Sequence, residues 1–244
     1  MNGLYWSLGL LGLLLILQRA LHGELMAVLL LITRRMNVAM VVFSVLLFPG
    51  VVLHEFSHWL MARLLGVRTG RIWLLPERMP DGTLRMGYVE AARTDPLRDS
   101  LVGLAPLLVG GAFVAYAGLV RLELHLFWGS MLALDRAAAA SALAHTYQQP
   151  DFWLWLYLTF VVSSMMLPSQ SDRQRWLPVI LFAGVLTGAA LAAGAGPWMA
   201  VHLSGPLDNA LLAVAAVFGI SAALHAVFSR PPGWSAACST ASPG

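Results

Sequence analysis

The sequence is a series of apolar stretches, each close to the roughly 20 residues that an α-helix needs to cross a membrane. Six stretches are candidate spans, and they cover residues 3–18, 37–62, 100–120, 152–168, 176–195 and 207–228. Only 11% of the 244 residues are charged, whereas a soluble domain usually carries about 25%. So few charges cannot cover a water-exposed globule of this size. The sequence therefore predicts an all-α polytopic membrane protein with about six transmembrane helices.

The connections between the spans hold most of the polar residues. Residues 19–35 are amphipathic and are expected to lie along the membrane interface. Between the second and third spans, Asp81-Gly82 is flanked by apolar segments, which predicts a small β-hairpin. We expect residues 1–230 to form a single membrane-embedded domain. Residues 231–244, rich in Pro, Ser, Ala and Gly, are expected to form a disordered tail.

The distribution of charge and cysteine excludes several classes of protein. All 15 basic residues are arginines, and they are spread over loops rather than gathered in one patch, which argues against a nucleic-acid partner. With six spans, more arginines face the cytoplasm if the N-terminus is inside, so both termini are predicted to be cytoplasmic, in a bacterial-type cell membrane. The single cysteine, Cys238, excludes a disulfide or a cysteine-based metal site within the chain.

The second span contains the motif His54-Glu55-Phe56-Ser57-His58. Side chains four residues apart share one face of a helix, so both histidines can bind one zinc ion. Glu55 would lie beside the metal, where a carboxylate can take a proton from water and give it to a leaving amine. A charged residue in the centre of a membrane costs about 2.5–3.5 kcal/mol on insertion scales. We therefore favour a metal site over the alternative, in which these side chains only form hydrogen bonds between helices.

A hydrolytic zinc site needs a third protein ligand at the same depth and one position open for water. His58 lies five residues before Arg63, which places the motif near the cytoplasmic end of its span. Asp172, at the inner end of the fourth span, meets this requirement, because Pro168 should end or kink that helix. The main rival, Asp208, is placed at the outer face by the alternation of spans. The alternative for Asp172 is an ordinary interfacial acid paired with a nearby arginine.

Together these features resemble the site-2 protease family of intramembrane zinc metalloproteases. The resemblance covers residues 41–172. Its most specific part is the His-Glu-x-x-His motif within a span. The segment Gly87-Tyr88-Val89 and the succession of Pro168 and Asp172 also look like the corresponding parts of that family.

The second motif of that family usually reads Asn-x-x-Pro, four further residues and Asp-Gly. In this sequence Met165 stands in place of the asparagine, one residue fewer separates the proline from the aspartate, and Arg173 replaces the glycine. The resemblance implies three Zn²⁺ ligands and one catalytic base, namely His54, His58 and Asp172 for the metal and Glu55 for the base.

By the same resemblance, the protein is expected to be a zinc metalloendopeptidase. It would hydrolyse peptide bonds of membrane-spanning proteins near the cytoplasmic face, so its partners would be the lipid bilayer and such a substrate. The oligomeric state is left open. The alternative is a catalytically silent relative that serves as a metal-binding membrane scaffold, and the presence of Glu55 argues against it.

A helical substrate must unwind before its peptide bonds can be reached, and the exposed edge of the hairpin can pair with an extended peptide. The candidate substrate-binding residues are Arg85, Gly87 and Tyr88 in the hairpin and Ser163 and Ser164 in the fourth span. The serines would replace the missing asparagine or line a path for water. The alternatives are a hairpin that only plugs the bundle and serines that only join helix to helix.

Overall fold

The computed structural model describes residues 2–74, 77–78, 84–85, 87–92 and 94–228. Over these residues the fold is all-α and polytopic, as predicted, with a small antiparallel β-structure. The helices are α1 (Asn2–Thr33), α2 (Met36–Leu64), α3 (Pro96–Tyr116), α4 (Leu124–Leu132), α5 (Arg136–Tyr147), α6 (Phe152–Met165), α7 (Gln170–Ala192), α8 (Gly196–His202) and α9 (Ser204–Phe228). A π-helical turn, Ala117–Arg121, continues α3.

Five of the described helices are long and apolar enough to cross a membrane, namely α1, α2, α3 with its π-helical turn, α7 and α9. The predicted fourth span corresponds to α6, which has 14 residues and is shorter than the roughly 20 residues of a usual span. The described residues therefore hold five candidate spans and one shorter apolar helix, close to the six spans that were predicted.

The predicted hairpin lies between α2 and α3. Strand β1 (Thr69–Trp73) pairs antiparallel with β4 (Tyr88–Ala91), and β2 (Glu77–Arg78) pairs in the same way with β3 (Leu84–Arg85). The Asp81-Gly82 turn and the predicted tail, residues 231–244, lie outside the described residues.

The first helix is longer than predicted. Residues 19–33, expected at the membrane interface, continue α1 as one helix. They contain no proline that would stop it. Leu21 is buried, and Leu25, Met26 and Leu29 pack against the hydrophobic core. The apolar face of this segment therefore contacts the bundle, and the segment is part of α1 and not a separate helix.

Helices α1 and α9 run side by side in the same direction. The backbone N–H of Gly3 donates to Asp208 Oδ1 at 3.0 Å, and one turn later Ser7 Oγ donates to the carbonyl of Leu211 at 2.7 Å. Six alternating crossings would make the first and last helices antiparallel. The parallel course of α1 and α9 does not fit six alternating crossings. The membrane side on which the termini lie stays a prediction.

Helices α2, α3 and α6 pack closely against one another. A Cβ atom at Gly50 of α2 would lie 2.3 Å from the carbonyl oxygen of Val161, and one at Gly110 of α3 would lie 2.5 Å from Met166 Cβ. Small residues allow helices to approach this closely in membranes. The close approach brings the C-terminal half of α2 against the start of α3 and the end of α6.

Pro168 separates α6 from α7, as predicted. Helix α6 ends at Met165 and α7 begins at Gln170, six residues before the predicted fifth span. Asp172 therefore lies in the first turn of α7 and not at the end of α6. Beyond this first part, most residues of α7 are exposed.

Candidate metal centre

The two motif histidines project from the same face of α2, and their Nε2 atoms are 3.2 Å apart. The other ring nitrogen of each is hydrogen-bonded to a backbone carbonyl. His54 Nδ1 donates to the carbonyl of Met165 at 2.6 Å, and His58 Nδ1 donates to that of Val102 at 2.8 Å. Such bonds fix the tautomer and leave the Nε2 lone pair free for a metal.

Local backbone structure explains why both carbonyls can accept these bonds. Met165 is the last residue of α6, and the last four carbonyls of a helix have no partner within the helix. Val102 lies four residues before Pro106, inside α3. Because proline has no backbone N–H, the carbonyl of Val102 also lacks its helical donor. The ends and interruptions of α3 and α6 therefore supply the groups that orient the two imidazoles.

Asp172 approaches the histidines from the start of α7. Its Oδ1 lies 3.5 Å from His58 Nε2, and its Oδ2 lies 3.9 Å from His54 Nε2. Ser169, the N-cap of α7, holds this carboxylate in a capping box: both Ser169 Oγ and Ser169 N donate to Asp172 Oδ2, at 2.5 and 3.0 Å. The Asp172 side chain is 6% exposed.

These three side chains form a group that could hold a metal ion, since their ligand atoms all lie within 4.8 Å of one another. The structure thus brings His54, His58 and Asp172 together, as the sequence predicts for the metal ligands. Asp208, the rival ligand, instead accepts a hydrogen bond from Gly3 at the start of α1. Among the described residues, Asp208 is not part of the group that could hold a metal, as expected, although it lies beside the start of α1 and not on the opposite side from it.

A cavity of about 420 Å³ adjoins the three ligands. The β-structure forms one wall through Gly87, Val89 and Ala91. These are alternate residues, which point to one face of a strand. Ser164, Met165 and Leu167, at and just beyond the end of α6, form another wall, and Val51 of α2 completes the surface next to the motif.

Glu55, the predicted base, is buried beside this cavity. The residue is 7% exposed, and a Cβ atom at Gly87 would lie 3.1 Å from Glu55 Cγ. A glycine at position 87 therefore lets the strand lie directly over the glutamate. Among the described residues, those that line the cavity do not include Glu55.

The other predicted site residues fall into two groups. Gly87 and Ser164 line the cavity, and Ser164 Oγ is also hydrogen-bonded to His225 Nε2 of α9 at 3.0 Å. Ser163 is fully buried and donates to the carbonyl of Phe160, while Tyr88 pairs with Trp73 in the sheet; neither lines the cavity. For Arg85 the structure describes only its place in β3.

Three polar residues of the cavity wall were not predicted: Gln18 and His22 of α1, and Arg175 of α7. Gln18 Nε2 donates to the carbonyl of Ser164. The spacing of Gln18 and His22, four residues apart, would place them on one helical face, but it cannot say what that face meets. Arg175 follows Asp172 by three residues, which is the spacing of neighbours on a helix surface.

Comparison of the chain with protein-family models, with curated proteins and with solved structures finds no significant match.

Proposed function

We propose that the protein is an intramembrane zinc metalloprotease related to the site-2 proteases. The convergence of His54, His58 and Asp172 carries this proposal. Two ligand atoms on a tetrahedral zinc ion lie about 3.3 Å apart when each bond is about 2.0–2.1 Å long. The Nε2–Nε2 and the two nitrogen–carboxylate separations are 3.2, 3.5 and 3.9 Å. Two imidazoles and one carboxylate also match the ligand chemistry of hydrolytic zinc sites.

Each residue of the site has a defined task in peptide hydrolysis. Zinc held here would supply a Lewis acid and lower the pKa of its water toward about 7. His54 and His58, oriented by the carbonyls of Met165 and Val102, hold the ion in place. Ser169 fixes the carboxylate of Asp172. Glu55 takes a proton from the attacking water and delivers it to the nitrogen of the leaving amine.

The cavity has room for a peptide. Its volume of about 420 Å³ falls within the range of about 300–1,000 Å³ that is usual for ligand sites. Strand β4 pairs with β1 on one side only in the described part of the sheet, so its other edge can pair with an extended substrate strand. Gly87, Val89 and Ala91 would then face the segment that contains the scissile bond.

A catalytically silent metal-binding scaffold is the second candidate. One observation favours it: Glu55 lies under Gly87 and is not part of the cavity wall. Proteolysis therefore requires that Glu55 turns toward the metal, or that the strand above it shifts when substrate binds. Catalytic hydrogen bonds are often long in ligand-free enzymes and shorten in the substrate complex.

The substitution Glu55→Gln separates the two functions. The purified protein, reconstituted with zinc in lipid vesicles, is incubated with a membrane-spanning model peptide, and cleavage and zinc content are measured together. We expect the wild type to cleave the peptide and Glu55→Gln to lose at least about 100-fold in rate, the lower range for general acid–base catalysis, with its zinc retained.

A matched control removes an acid from another part of the bundle. Glu123→Gln loses an acid that pairs with His145 at 3.2 Å, away from the described cavity, and should leave both measurements unchanged. Equal cleavage by wild type and Glu55→Gln would exclude the proposed role of Glu55. Stoichiometric zinc without cleavage of any membrane peptide would favour the scaffold.

A further inference from the structure

We propose that Arg175 is a specificity residue that binds a carboxylate of the substrate close to the scissile bond. The inference rests on the proposed protease function and adds the charge of the preferred substrate. The carboxylate can belong to an acidic side chain or to a free C-terminus, because both present the same pair of oxygens to a guanidinium.

Arg175 is the only arginine among the described residues that line the cavity. It follows Asp172 by one helical turn, so the first turns of α7 present a metal ligand and a cation to the same space. Side chains at this spacing on a helix have Cβ atoms about 5–6 Å apart. The residues of an extended peptide are about 3.3 Å apart. A substrate carboxylate on Arg175 would therefore belong to a residue roughly one to three positions from the cleaved bond.

The guanidinium of Arg175 has no ion pair with an acid of the described chain. Asp172 is the only acidic residue among the described residues that line the cavity, and its carboxylate lies against the two histidines and Ser169. By contrast, Arg98 pairs with Asp95, and Arg121 pairs with Asp151. The charge of Arg175 is thus available to a group that enters the cavity.

Contacts with α3 hold this part of α7 in position. Ser100 Oγ donates to the carbonyl of Arg175 at 2.5 Å. A Cβ atom at Gly103 would lie 3.1 Å from the carbonyl oxygen of Asp172 and 3.6 Å from Arg175 Cδ. The aliphatic part of the arginine therefore rests against α3 at a glycine. An arginine that is positioned in advance loses less side-chain entropy when it binds a carboxylate.

An arginine within a membrane protein is costly unless it meets a partner or water. Here about half of the wall around it is apolar, with Val102, Ala91 and Leu167 in the same cavity. In such surroundings a charge-assisted hydrogen bond is stronger than in water, and two parallel bonds from a guanidinium recognise the planar carboxylate. An acidic substrate group would supply the partner that the described part of the chain does not provide.

The test compares matched membrane-spanning peptides. Once the cleaved bond has been located by mass spectrometry, residues up to three positions on either side are changed in turn between Glu and Gln. A further pair ends within this distance as a free carboxylate or as an amide. We expect the wild type to show a kcat/KM about 10- to 100-fold higher for a carboxylate peptide than for its neutral partner, the range expected for a hydrogen bond to a charged group. The responding pair identifies the source of the carboxylate.

Variants of two arginines then show which residue causes the preference for a carboxylate peptide. Arg175→Gln should reduce the ratio of the two kcat/KM values to about one, and Arg175→Lys should retain part of it, because lysine keeps the charge but not the planar pair of donors. Arg173→Gln removes the same charge from an exposed position two residues away and should leave the ratio unchanged. A ratio that survives in Arg175→Gln, or a wild type that cleaves every pair equally, would overturn the proposal.

Binding provides a readout that does not need turnover. In zinc-loaded Glu55→Gln protein, the affinities for the same peptide pairs are measured with and without Arg175→Gln, and thermal unfolding verifies that each variant is folded. A carboxylate preference that depends on Arg175 supports this subsite even if no peptide is cleaved, in which case only the protease function fails. If peptides are cleaved without any charge preference, the protease function stands and the proposed role of Arg175 fails.

Discussion

Helices α2 and α7 both contribute ligands to the candidate metal centre, but they hold them in different ways. Helix α2 carries His54 and His58 within its length and not at an end. Of the apolar stretch by which α2 could cross a membrane, 33% is buried in the bundle. Helix α7 carries Asp172 in its first turn, and none of the corresponding apolar stretch of α7 is buried. The histidines are oriented by carbonyls of neighbouring helices, whereas the aspartate is oriented by the cap of its own helix.

This difference shows two solutions to the same physical problem. A polar side chain inside a membrane bundle must find partners, because no water is there to replace them. In α2, close packing against α3 and α6 provides these partners. In α7, the N-cap provides the hydrogen-bond partners within the same helix, so the rest of α7 is not needed to orient the aspartate. If this comparison is right, substitutions in the two helices should have effects of different kind and size.

The largest expected effect is the loss of metal from the packed helix. His58→Ala removes one ligand and breaks the bond to the carbonyl of Val102, so zinc content should fall from about one ion per chain to almost none. The control is His202→Ala, which replaces an exposed histidine of α8 whose Nδ1 donates to the carbonyl of Trp198, and this variant should keep its zinc. Full zinc content in His58→Ala, measured by elemental analysis after dialysis, would rule out this centre.

The two histidines also show how much of the site could be predicted from the sequence. Their juxtaposition depends only on helical geometry, and local geometry can be predicted from spacing. Asp172 could be chosen by depth and by the helix break at Pro168, although the helix that carries it was assigned wrongly. Gln18 and His22 could not be placed, because the surroundings of α1 depend on α9, which lies about 200 residues away in the sequence, as in the bond between Gly3 and Asp208.

Backbone groups were a second limit of the sequence analysis. Met165 stands where an asparagine is expected, and its side chain suggests a loss of function. Its carbonyl nevertheless binds His54, and any residue type could provide that group. The effect of Pro106 on the carbonyl of Val102 became visible only when the structure showed His58 bonded there.

The second prediction tests the close packing of α2. Gly50→Ala would place a methyl group 2.3 Å from the carbonyl oxygen of Val161, and backbone atoms cannot move aside cheaply. We expect a loss of stability at the upper end of the about 1–3 kcal/mol typical of overpacking. Thermal unfolding in detergent measures this loss. An unchanged unfolding temperature would mean that α2 and α6 do not approach as closely as described.

The third prediction concerns the cap of α7. Ser169→Ala removes the hydroxyl that donates to Asp172 Oδ2, and substitutions of groups that orient a metal ligand typically reduce metal affinity by about 10- to 100-fold. Competition with a chelator of known affinity gives the value. Ser130→Ala, which removes a hydroxyl bonded to the carbonyl of Leu126 in α4, is the matched control and should not change the affinity. Equal affinities in wild type and Ser169→Ala would show that the cap does not position the aspartate.

The smallest effect is expected in the exposed part of α7. Nothing lies within 4 Å of a Cβ atom placed at Gly188, so Gly188→Ala creates no clash and removes a residue that disfavours helix. The change should stabilise the protein slightly, by no more than about 1 kcal/mol. By contrast, the same substitution at Gly50 is expected to destabilise it. Thermal unfolding of the two variants under one set of conditions therefore measures the contrast between the helices directly. If Gly188→Ala destabilised the protein as much as Gly50→Ala, α7 would be packed along its length in the membrane, and the aspartate would owe its position to that packing as well as to its cap.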